Sequence, residues 1–294
     1  MKRRQLLRVA ITGTLSTTPV LRSARASKPS PNPLVVLDFS HAQSILAIGV
    51  ENFGMAEPWR YMRSVEEPRL QKTVFDIGTL SEPNLELLAE IKPRTIIHSH
   101  EWPTNTAQLE RIAPLREISI YTGEPGPLGR ARQALVQIAQ LAGKEPDASE
   151  YLARFDSRME TYRSRLTHIA GTRAMLLWAA TPRDFWTLGS ASLLHEVMEY
   201  LGFDNAIRET GDIWGWLPVS TRALVDLDST LVVHFGPVPS ILADNPFWQN
   251  LDFVRQERLV VLPRSWLFGG LPEAERIARL LTRTMEGADH HSFN

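Results

Sequence analysis

The sequence predicts an α/β fold: two β/α lobes with mostly parallel sheets, joined by a long rigid interdomain helix, with a ligand cleft between the lobes. Short apolar runs alternate with helical patterns in residues 34–126 and again in residues 171–294, as in sheets covered by helices. Between them, residues 127–170 carry apolar side chains at helical spacing and no strand pattern. Ligands of such folds bind at strand ends and between lobes, so we expect the site there.

The chain begins with a segment typical of export. A basic stretch with paired arginines precedes a weakly apolar run over residues 9–21, and an Ala-Arg-Ala cleavage site ends at Ala26. We therefore predict that residues 1–26 are a signal peptide of the twin-arginine type. The mature protein is expected in the periplasm, without a lipid anchor because the chain has no cysteine.

Composition excludes several classes of protein. The 32 basic and 33 acidic residues give a net charge of −1, which argues against a nucleic-acid partner. The absence of cysteine excludes disulfides, thiolate metal sites and cysteine catalysis. No later segment approaches the roughly 20 apolar residues of a membrane helix. We expect a monomer with no resident cofactor or metal.

The N-terminal lobe, residues 34–126, opens with an apolar run that predicts a buried strand. Its clearest helix covers residues 81–90, because Ser81 is a capping residue and Pro83 needs no amide partner in a first turn. The other predicted elements are a helix at residues 44–49, a strand at 94–99, a helix ending at Ile112 and a strand at 118–121.

The helical linker, residues 127–170, is interrupted only at residues 143–147. One long helix there would join the lobes rigidly and limit hinge closure. In the C-terminal lobe, residues 171–294, strands are predicted at residues 173–180, 231–235 and 259–262, and helices at residues 192–201 and 272–285.

Motifs of catalysis are scarce. The chain has no nucleophile elbow, P-loop, zinc-protease or dinucleotide motif. The glycines of residues 123–129 are interleaved with prolines, which lack the amide donors of a phosphate cradle, so we interpret the segment as a linker. We expect that the protein is not an enzyme. A periplasmic α/β hydrolase is an alternative that would need a nucleophile–base pair.

Aromatic residues in loops are the strongest indication of a binding site. Several of the eight tryptophans lie in polar or glycine-bearing segments, where a large ring either packs on its own lobe or lines a cleft. Aromatic walls bind bulky, partly apolar ligands through contact area. The expected ligand-binding aromatic residues are Trp102, Trp214, Trp216, Trp266, Phe268 and, directly after the first strand, Phe39.

Two histidines lie at the carboxyl end of the second predicted strand of the N-terminal lobe. On an extended backbone, His98 and His100 share a face and could point at one ligand. The spacing supplies no third metal ligand, so the simpler interpretation is a pair of pocket-lining histidines. A receptor for a free metal ion, using both histidines and Glu101, is an alternative.

One family shares specific segments with this chain. The strongest marker is Glu-Pro-Asn-Leu-Glu-Leu-Leu at residues 82–88 followed by Lys92-Pro93, with weaker matches at residues 76–78, 111–114, 214–215 and 263–269. In these segments the chain resembles the periplasmic ferric-hydroxamate (ferrichrome) binding proteins, of the helical-backbone class that serves ABC importers.

This resemblance implies a shallow aromatic cleft in which Trp214, Trp266 and Phe268 are wall residues. It implies capture of a ferric siderophore of hydroxamate or citrate type, and delivery to an inner-membrane ABC permease with its ATPase. The family's hydroxamate-binding arginine falls on Leu80 and a family tyrosine falls on Trp102, so the resemblance implies the fold and the transport role and does not extend to ferrichrome as the ligand. His98, His100 and Trp216 are candidate replacements, and nearby cations such as Arg60, Arg63 and Arg183 could meet chelator oxygens.

A receptor for haem or cobalamin is an alternative within the same class, and a histidine acting as an axial ligand would favour it. The resemblance also implies a docking acid on each lobe for the permease. Glu86, with Glu82 one turn before it, matches the position on the N-terminal lobe. The counterpart on the C-terminal lobe falls on Arg222, so we expect another acid there, such as Asp226, or none.

Overall fold

The computed structural model describes residues 32–179, 181 and 183–288. The predicted signal peptide, residues 1–26, lies outside these residues, as does the end of the predicted C-terminal lobe. None of the helices within the described part of the chain has the length and apolar character needed to cross a membrane.

The N-terminal lobe contains a five-stranded sheet and four helices. Its strands are β1 (Leu34–Val36), β2 (Gly54–Met55), β3 (Phe75–Asp76), β4 (Thr95–His98) and β5 (Leu115–Glu117). They are parallel, in the order β3-β2-β1-β4-β5. The central β1 is wholly buried, as its unbroken apolar run indicates. The helices are α1 (Phe39–Ala47), α2 (Pro58–Ser64), α3 (Leu85–Ile91) and α4 (Thr106–Leu109).

The linker contains two long helices rather than the single one predicted. These are α5 (Pro127–Ala142) and α6 (Glu145–Arg165), followed by a short 3₁₀ helix at Thr167–Ile169. Gly143 ends α5 with a φ of +65°, a left-handed conformation that glycine adopts at low cost. Its N–H lies within hydrogen-bond reach of the Ala139 and Gln140 carbonyls, so the chain turns there and α6 packs back against α5.

The C-terminal lobe contains a six-stranded mixed sheet. Its strands are β6 (Arg173–Ala179), β7 (Phe185–Leu188), β8 (Asp204–Asn205), β9 (Trp216–Val219), β10 (Leu231–Phe235) and β11 (Leu259–Leu262). The order is β11-β10-β6-β7-β9, with β8 also pairing with β6. β7 is antiparallel to both of its neighbours and the other pairs are parallel. The helices are α7 (Leu193–Tyr200), α8 (Thr221–Val225), α9 (Ser240–Ala243), α10 (Pro246–Gln249), α11 (Asp252–Arg255) and α12 (Leu271–Ala288).

One hydrophobic core runs through both lobes. It contains β1 and α1 of the N-terminal lobe, α5 and α6 of the linker, and β6, α7, β10 and α12 of the C-terminal lobe. Helix α5 packs against α1 on one side and α7 on the other, and α12 packs against all three. Because these helices bury their apolar faces in common, the lobes cannot separate without exposing core surface.

Two boundaries in the N-terminal lobe differ from the sequence prediction. The strand expected at residues 118–121 lies earlier, as β5. The ladder to β4 ends after the Ile118 N–H bonds to the His98 carbonyl, because the Glu101 carboxylate takes the next free amides, those of Ile120 and Tyr121. Residues beyond Ile118 therefore leave the sheet as a buried loop.

The predicted cap of the helix over residues 81–90 was also wrong. Asn84, not Ser81, is the N-cap of α3, and its side chain accepts a hydrogen bond from the Leu87 amide at 2.9 Å. The Asn84 N–H donates to the Ile77 carbonyl at 2.7 Å. This bond keeps the preceding residues in a turn, so the first turn of helix cannot form there. At α1, Asp38 caps the Ser40 amide at 2.7 Å and starts that helix five residues earlier than predicted.

We expect Leu135→Ala in α5 to lower the free energy of unfolding by about 3 kcal/mol, because the side chain is fully buried where the two lobes meet. Val136→Ala on the same helix, at a side chain that is 39% exposed, is the matched control and should change it by less than about 1 kcal/mol. Urea unfolding followed by circular dichroism measures both. Equal effects of the two substitutions would contradict the shared core.

Candidate functional site

The predicted aromatic residues meet where the two lobes face each other. The loops that follow β1, β4 and β11 converge on the N-terminal side of this cleft, and β6, β7 and β9 form its C-terminal side. Six of the eight tryptophans belong to one chain of ring contacts in the cleft. They are Trp102, Trp178, Trp186, Trp214, Trp216 and Trp266.

The N-lobe depression lies on the N-terminal side of the cleft. It is lined by Leu37, Asp38, Phe39, Glu57, Arg60, Leu80, Trp102 and Trp266. Asp38 serves the fold, because its second oxygen accepts a hydrogen bond from the Ser99 hydroxyl at 2.9 Å while the first caps α1. This side therefore combines aromatic rings with one cation.

Arg60 is that cation. Its guanidinium carbon lies 5.9 Å from the centroid of the Phe39 ring and 5.8 Å from that of Trp266, within cation–π range. Nη1 also donates to Glu57 Oε2 at 2.9 Å. The side chain remains 40% exposed, so its other N–H groups can reach a bound anion or carbonyl.

A line of rings connects the two sides of the cleft. The Trp266 centroid lies 5.1 Å from that of Phe39 and 5.4 Å from that of Phe268. Phe268 in turn contacts Trp214 at 5.6 Å and Trp216 at 6.2 Å. These separations are those of favourable tilted and edge-to-face ring pairs, so the aromatic surface is continuous.

The C-lobe depression is almost entirely apolar. It is lined by Leu176, Leu177, Trp178, Trp186, Thr187, Leu188, Trp216, Phe235 and Leu267. Trp178 on β6 stands directly opposite Trp186 on β7, and both rings pack against Trp216 while remaining 40% and 36% exposed. An open, ring-lined surface of this kind offers contact area and few hydrogen bonds.

Trp178 and Trp186 were not among the predicted site residues. Trp178 falls in the strand predicted at residues 173–180, but no strand was predicted at β7, so the sequence pattern did not indicate the cross-strand pair. The available signal was the spacing of two tryptophans on either side of Thr-Pro-Arg-Asp at positions 181–184, residue types that favour turns, which fits an antiparallel hairpin.

Glycine and aspartate place the two tryptophans of the 214–216 turn. Asp212 Oδ1 accepts hydrogen bonds from the amides of Trp214 and Trp216, at 2.9 and 2.8 Å. Gly215 between them has a φ of +89°, and a Cβ there would come within 2.7 Å of the Ser192 nitrogen. Only glycine fits this position, and the turn sends both rings into the cleft.

The two predicted histidines do not share an exposed face. His98, the last residue of β4, is 7% exposed, and burial lowers its pKa, with Glu117 opposing the shift. His100 is exposed in the following turn, with Nδ1 2.6 Å from the Ser119 hydroxyl. The strand ends between them, which removes the alternation on which the prediction depended.

Glu101 is held within the N-terminal lobe. Its Oε1 accepts hydrogen bonds from the amides of Ile120 and Tyr121, at 3.1 and 2.8 Å, and Glu101 is only 5% exposed. Across residues 32–179, 181 and 183–288, no cluster of three or more histidine, cysteine or acidic residues is placed to hold a metal ion.

Comparison with known proteins gives consistent matches along most of the chain. Residues 34–265 match the periplasmic binding protein family. The chain is 30% identical over 271 residues to the iron(3+)-hydroxamate-binding protein FhuD of Escherichia coli, covering 91% of each sequence. It is 25% identical over 259 residues to the Fe(3+)-citrate-binding protein YfmC of Bacillus subtilis, covering 85% of this chain and 79% of that protein.

A solved structure shares the fold. The siderophore-binding protein FhuD of Vibrio cholerae, crystallised with bound Fe³⁺–Desferal, superposes with a TM-score of 0.79 at 25% identity. The match covers 87% of this chain and 98% of that chain. The two-lobed α/β architecture predicted from the sequence is thereby confirmed.

Burial has a measurable consequence at His98. Because its pKa is lowered in the folded protein, the unfolded chain binds the proton more tightly, so His98 should reduce the free energy of unfolding as pH falls below about 6.5. In His98→Asn the loss of stability between pH 7 and pH 5 should be smaller than in the wild type. Chemical unfolding at both pH values measures it, and an unchanged loss would contradict the assignment.

Proposed function

The chain belongs to the periplasmic binding protein family, and we propose that it captures a ferric siderophore in the periplasm for an inner-membrane ABC importer. The protein binds the chelate as a monomer, releases it unchanged to the permease and its ATPase, and performs no chemistry. The ferric siderophore is its ligand and not a cofactor.

The observation that carries this proposal is the continuous aromatic surface across both lobes, with Arg60 at one end. A ferric siderophore presents a bulky, partly apolar exterior because the iron is already enclosed by the chelator. Rings supply contact area to such a ligand, and a single arginine can meet the chelator oxygens on one side. The relatives named for iron–hydroxamate and iron–citrate binding support the same ligand class.

The two depressions favour different parts of the ligand. The C-lobe depression is lined by three tryptophans and apolar side chains, so we assign it the apolar scaffold of the chelator. The N-lobe depression holds Arg60 and Glu57 beside the rings, so we assign it the polar iron-chelating groups. Leu80, which also lines this side, supplies no donor there. These assignments suit a hydroxamate or a mixed citrate–hydroxamate siderophore.

The rival functions have less support from the geometry. Haem or cobalamin capture would gain from an axial histidine, but His98 is buried and the His100 ring is engaged with Ser119. A free-metal receptor would need Glu101, which already holds two amides. A hydrolase would need an activated nucleophile, and the described cleft residues are dominated by rings.

We expect Trp216→Ala and Trp266→Ala each to weaken binding at least about tenfold, because each ring contributes roughly 1.4 kcal/mol or more of contact. Tryptophan-fluorescence titration against ferric desferrioxamine, ferrichrome and ferric dicitrate measures the affinities. Trp59→Ala is the matched control, since this ring is 51% exposed on α2 and lines neither depression. An equal loss in the control, or no binding of any ferric siderophore by the wild type, would contradict the proposal.

Docking on the permease involves the exposed acids at the start of α3. Glu86 lies in the first turn of that helix and Glu82 precedes its cap, and both are exposed. On the C-terminal lobe, the Arg222 side chain is 90% exposed in α8, with Asp226 3.8 Å away. We infer that Glu86 and Glu82 meet a basic pocket of the permease, and that the second lobe uses a different contact.

Glu86→Ala should leave siderophore affinity intact and lower iron uptake by cells, because rim charges act mainly on the encounter between partners. The defect should be largest at low ionic strength in importer-stimulated ATP hydrolysis. Glu90→Ala, an exposed acid on the same helix, is the control. Normal iron uptake by cells that carry a Glu82→Ala, Glu86→Ala double variant would contradict the docking role of these two acids.

A further inference from the structure

The loop that carries Trp266 and Phe268 is held by hydrogen bonds both before and after these two residues. Before them, Arg276 on α12 donates to the Ser265 hydroxyl at 2.6 Å and to the Arg264 carbonyl at 3.2 Å. After them, the Gly269 carbonyl accepts from the Tyr121 hydroxyl at 2.7 Å. The Gly270 amide donates to Gln43 Oε1 at 2.8 Å. These bonds fix the segment 264–270 at its two ends.

The hydrogen bonds to Gly269 and Gly270 come from the opposite lobe. Gln43 is on α1, and Tyr121 follows β5, whereas the loop itself follows β11 of the C-terminal lobe. Trp266 also packs on Phe39 and under Arg60, again in the N-terminal lobe. The loop therefore holds its rings against the N-terminal lobe, although its chain comes from the other one.

Glu273 hydrogen-bonds to a residue from each of these two groups, Arg276 and Gln43. Its Oε1 accepts from Arg276 Nη1 at 3.2 Å, and its Oε2 accepts from Gln43 Nε2 at 3.3 Å. The loop packs tightly on this pair, since a Cβ on Gly269 would lie 2.4 Å from Glu273 Cβ and 2.7 Å from Gln43 Oε1. Glu273 is fully buried and Arg276 is 6% exposed.

This arrangement favours an ionised carboxylate. Both partners of Glu273 are donors, and only the ionised carboxylate accepts at both oxygens without presenting a donor of its own. A proton on either oxygen makes that oxygen a weaker acceptor, and it also leaves the buried Arg276 without its counter-charge. The hydrogen bond to Arg276 or the one to Gln43 is then weakened.

We propose that Glu273, with Gln43 and Arg276, positions the Trp266–Phe268 segment for ligand binding, and that uptake of one proton by Glu273 loosens the segment and lowers affinity. This inference rests on the proposed binding function and adds a pH-dependent control to it. Gln43, Glu273 and Arg276 are positioning residues, since they act through the loop.

The electrostatic surroundings place this change near neutral pH. Burial raises the pKa of Glu273 to about 7, although Arg276 and the Gln43 hydrogen bond oppose the shift. The charged or titratable groups that face Glu273 are Arg276 on its own helix, Glu67 after α2, Tyr61 on α2 and Tyr121 after β5. Glu67 raises this pKa and is itself paired with Arg279 at 2.5 Å.

The sign of the effect follows from these states. Between pH 4.5 and about 7 the folded protein keeps a proton that an unfolded chain releases, so ionisation of Glu273 costs stability in the free protein. A ligand that needs the loop in its hydrogen-bonded position selects the form in which Glu273 is ionised. Binding should therefore release a proton, and affinity should rise as pH rises through about 7.

The test is titration calorimetry with ferric desferrioxamine between pH 6 and pH 8, in buffers of different ionisation enthalpy. Wild-type affinity should rise about fivefold or more over this range, with proton release on binding. Glu273→Gln cannot accept at both positions, so it should bind weakly with no such pH dependence. Glu275→Gln, two residues along α12 and paired with Arg158, is the matched control and should behave as wild type.

Tyr121→Phe separates positioning from charge. It removes the bond to Gly269 and leaves both hydrogen-bond partners of Glu273 in place, so affinity should fall while the pH slope stays as in the wild type. The same slope in Glu273→Gln as in the wild type, or its loss in Glu275→Gln, would overturn the inference.

A measurement without ligand keeps the inference apart from the proposed function. The tryptophan emission of the wild type should shift with a midpoint near pH 7, and this shift should be absent from Glu273→Gln and reduced in Trp266→Phe. If no ferric siderophore binds at pH 8, the proposed function is contradicted. The titration without ligand still tests whether protonation of Glu273 changes the surroundings of Trp266. An identical titration in Glu273→Gln would overturn the inference by itself.

Discussion

The packing of α5 and α12 between the lobes is the constraint on which the rest of the molecule depends. These helices bury apolar faces against α1 and α7 at once, so a single core extends from one sheet to the other. Opening the lobes widely would expose this core to water, at a cost that grows with the area exposed. We therefore expect the lobes to keep their relative position when a ligand binds.

That rigidity fits the proposed binding surface, which is made of loops and strand ends. The sheets and helices hold their strand ends at fixed positions, and the rings lie on those strands or on the loops next to them. The N-terminal side adds Arg60 and Glu57, and the C-terminal side adds the pair Trp178 and Trp186. The surface thus has a polar region on one side and an apolar region on the other.

The buried polar groups where the two lobes meet have a different role from the rings. Glu101 ends the β4–β5 ladder by taking two amides, and this brings Tyr121 to the Gly269 carbonyl. Glu273 then links Arg276 and Gln43 across the same loop. Buried groups that must all be satisfied define one arrangement, so the position of Trp266 depends on hydrogen bonds as well as on ring packing.

The sequence by itself determined the alternation of strands and helices, the helical linker and the aromatic character of the site, because these depend on local periodicity and composition. It also singled out Trp102, Trp214, Trp216, Trp266 and Phe268, and the fold brings these rings into contact with one another. The tertiary structure decided the rest. The pairing of Trp178 with Trp186, the burial of His98 and the partners of Glu273 each depend on residues far apart in the chain. No local pattern records such contacts, because only the packed fold brings their partners together.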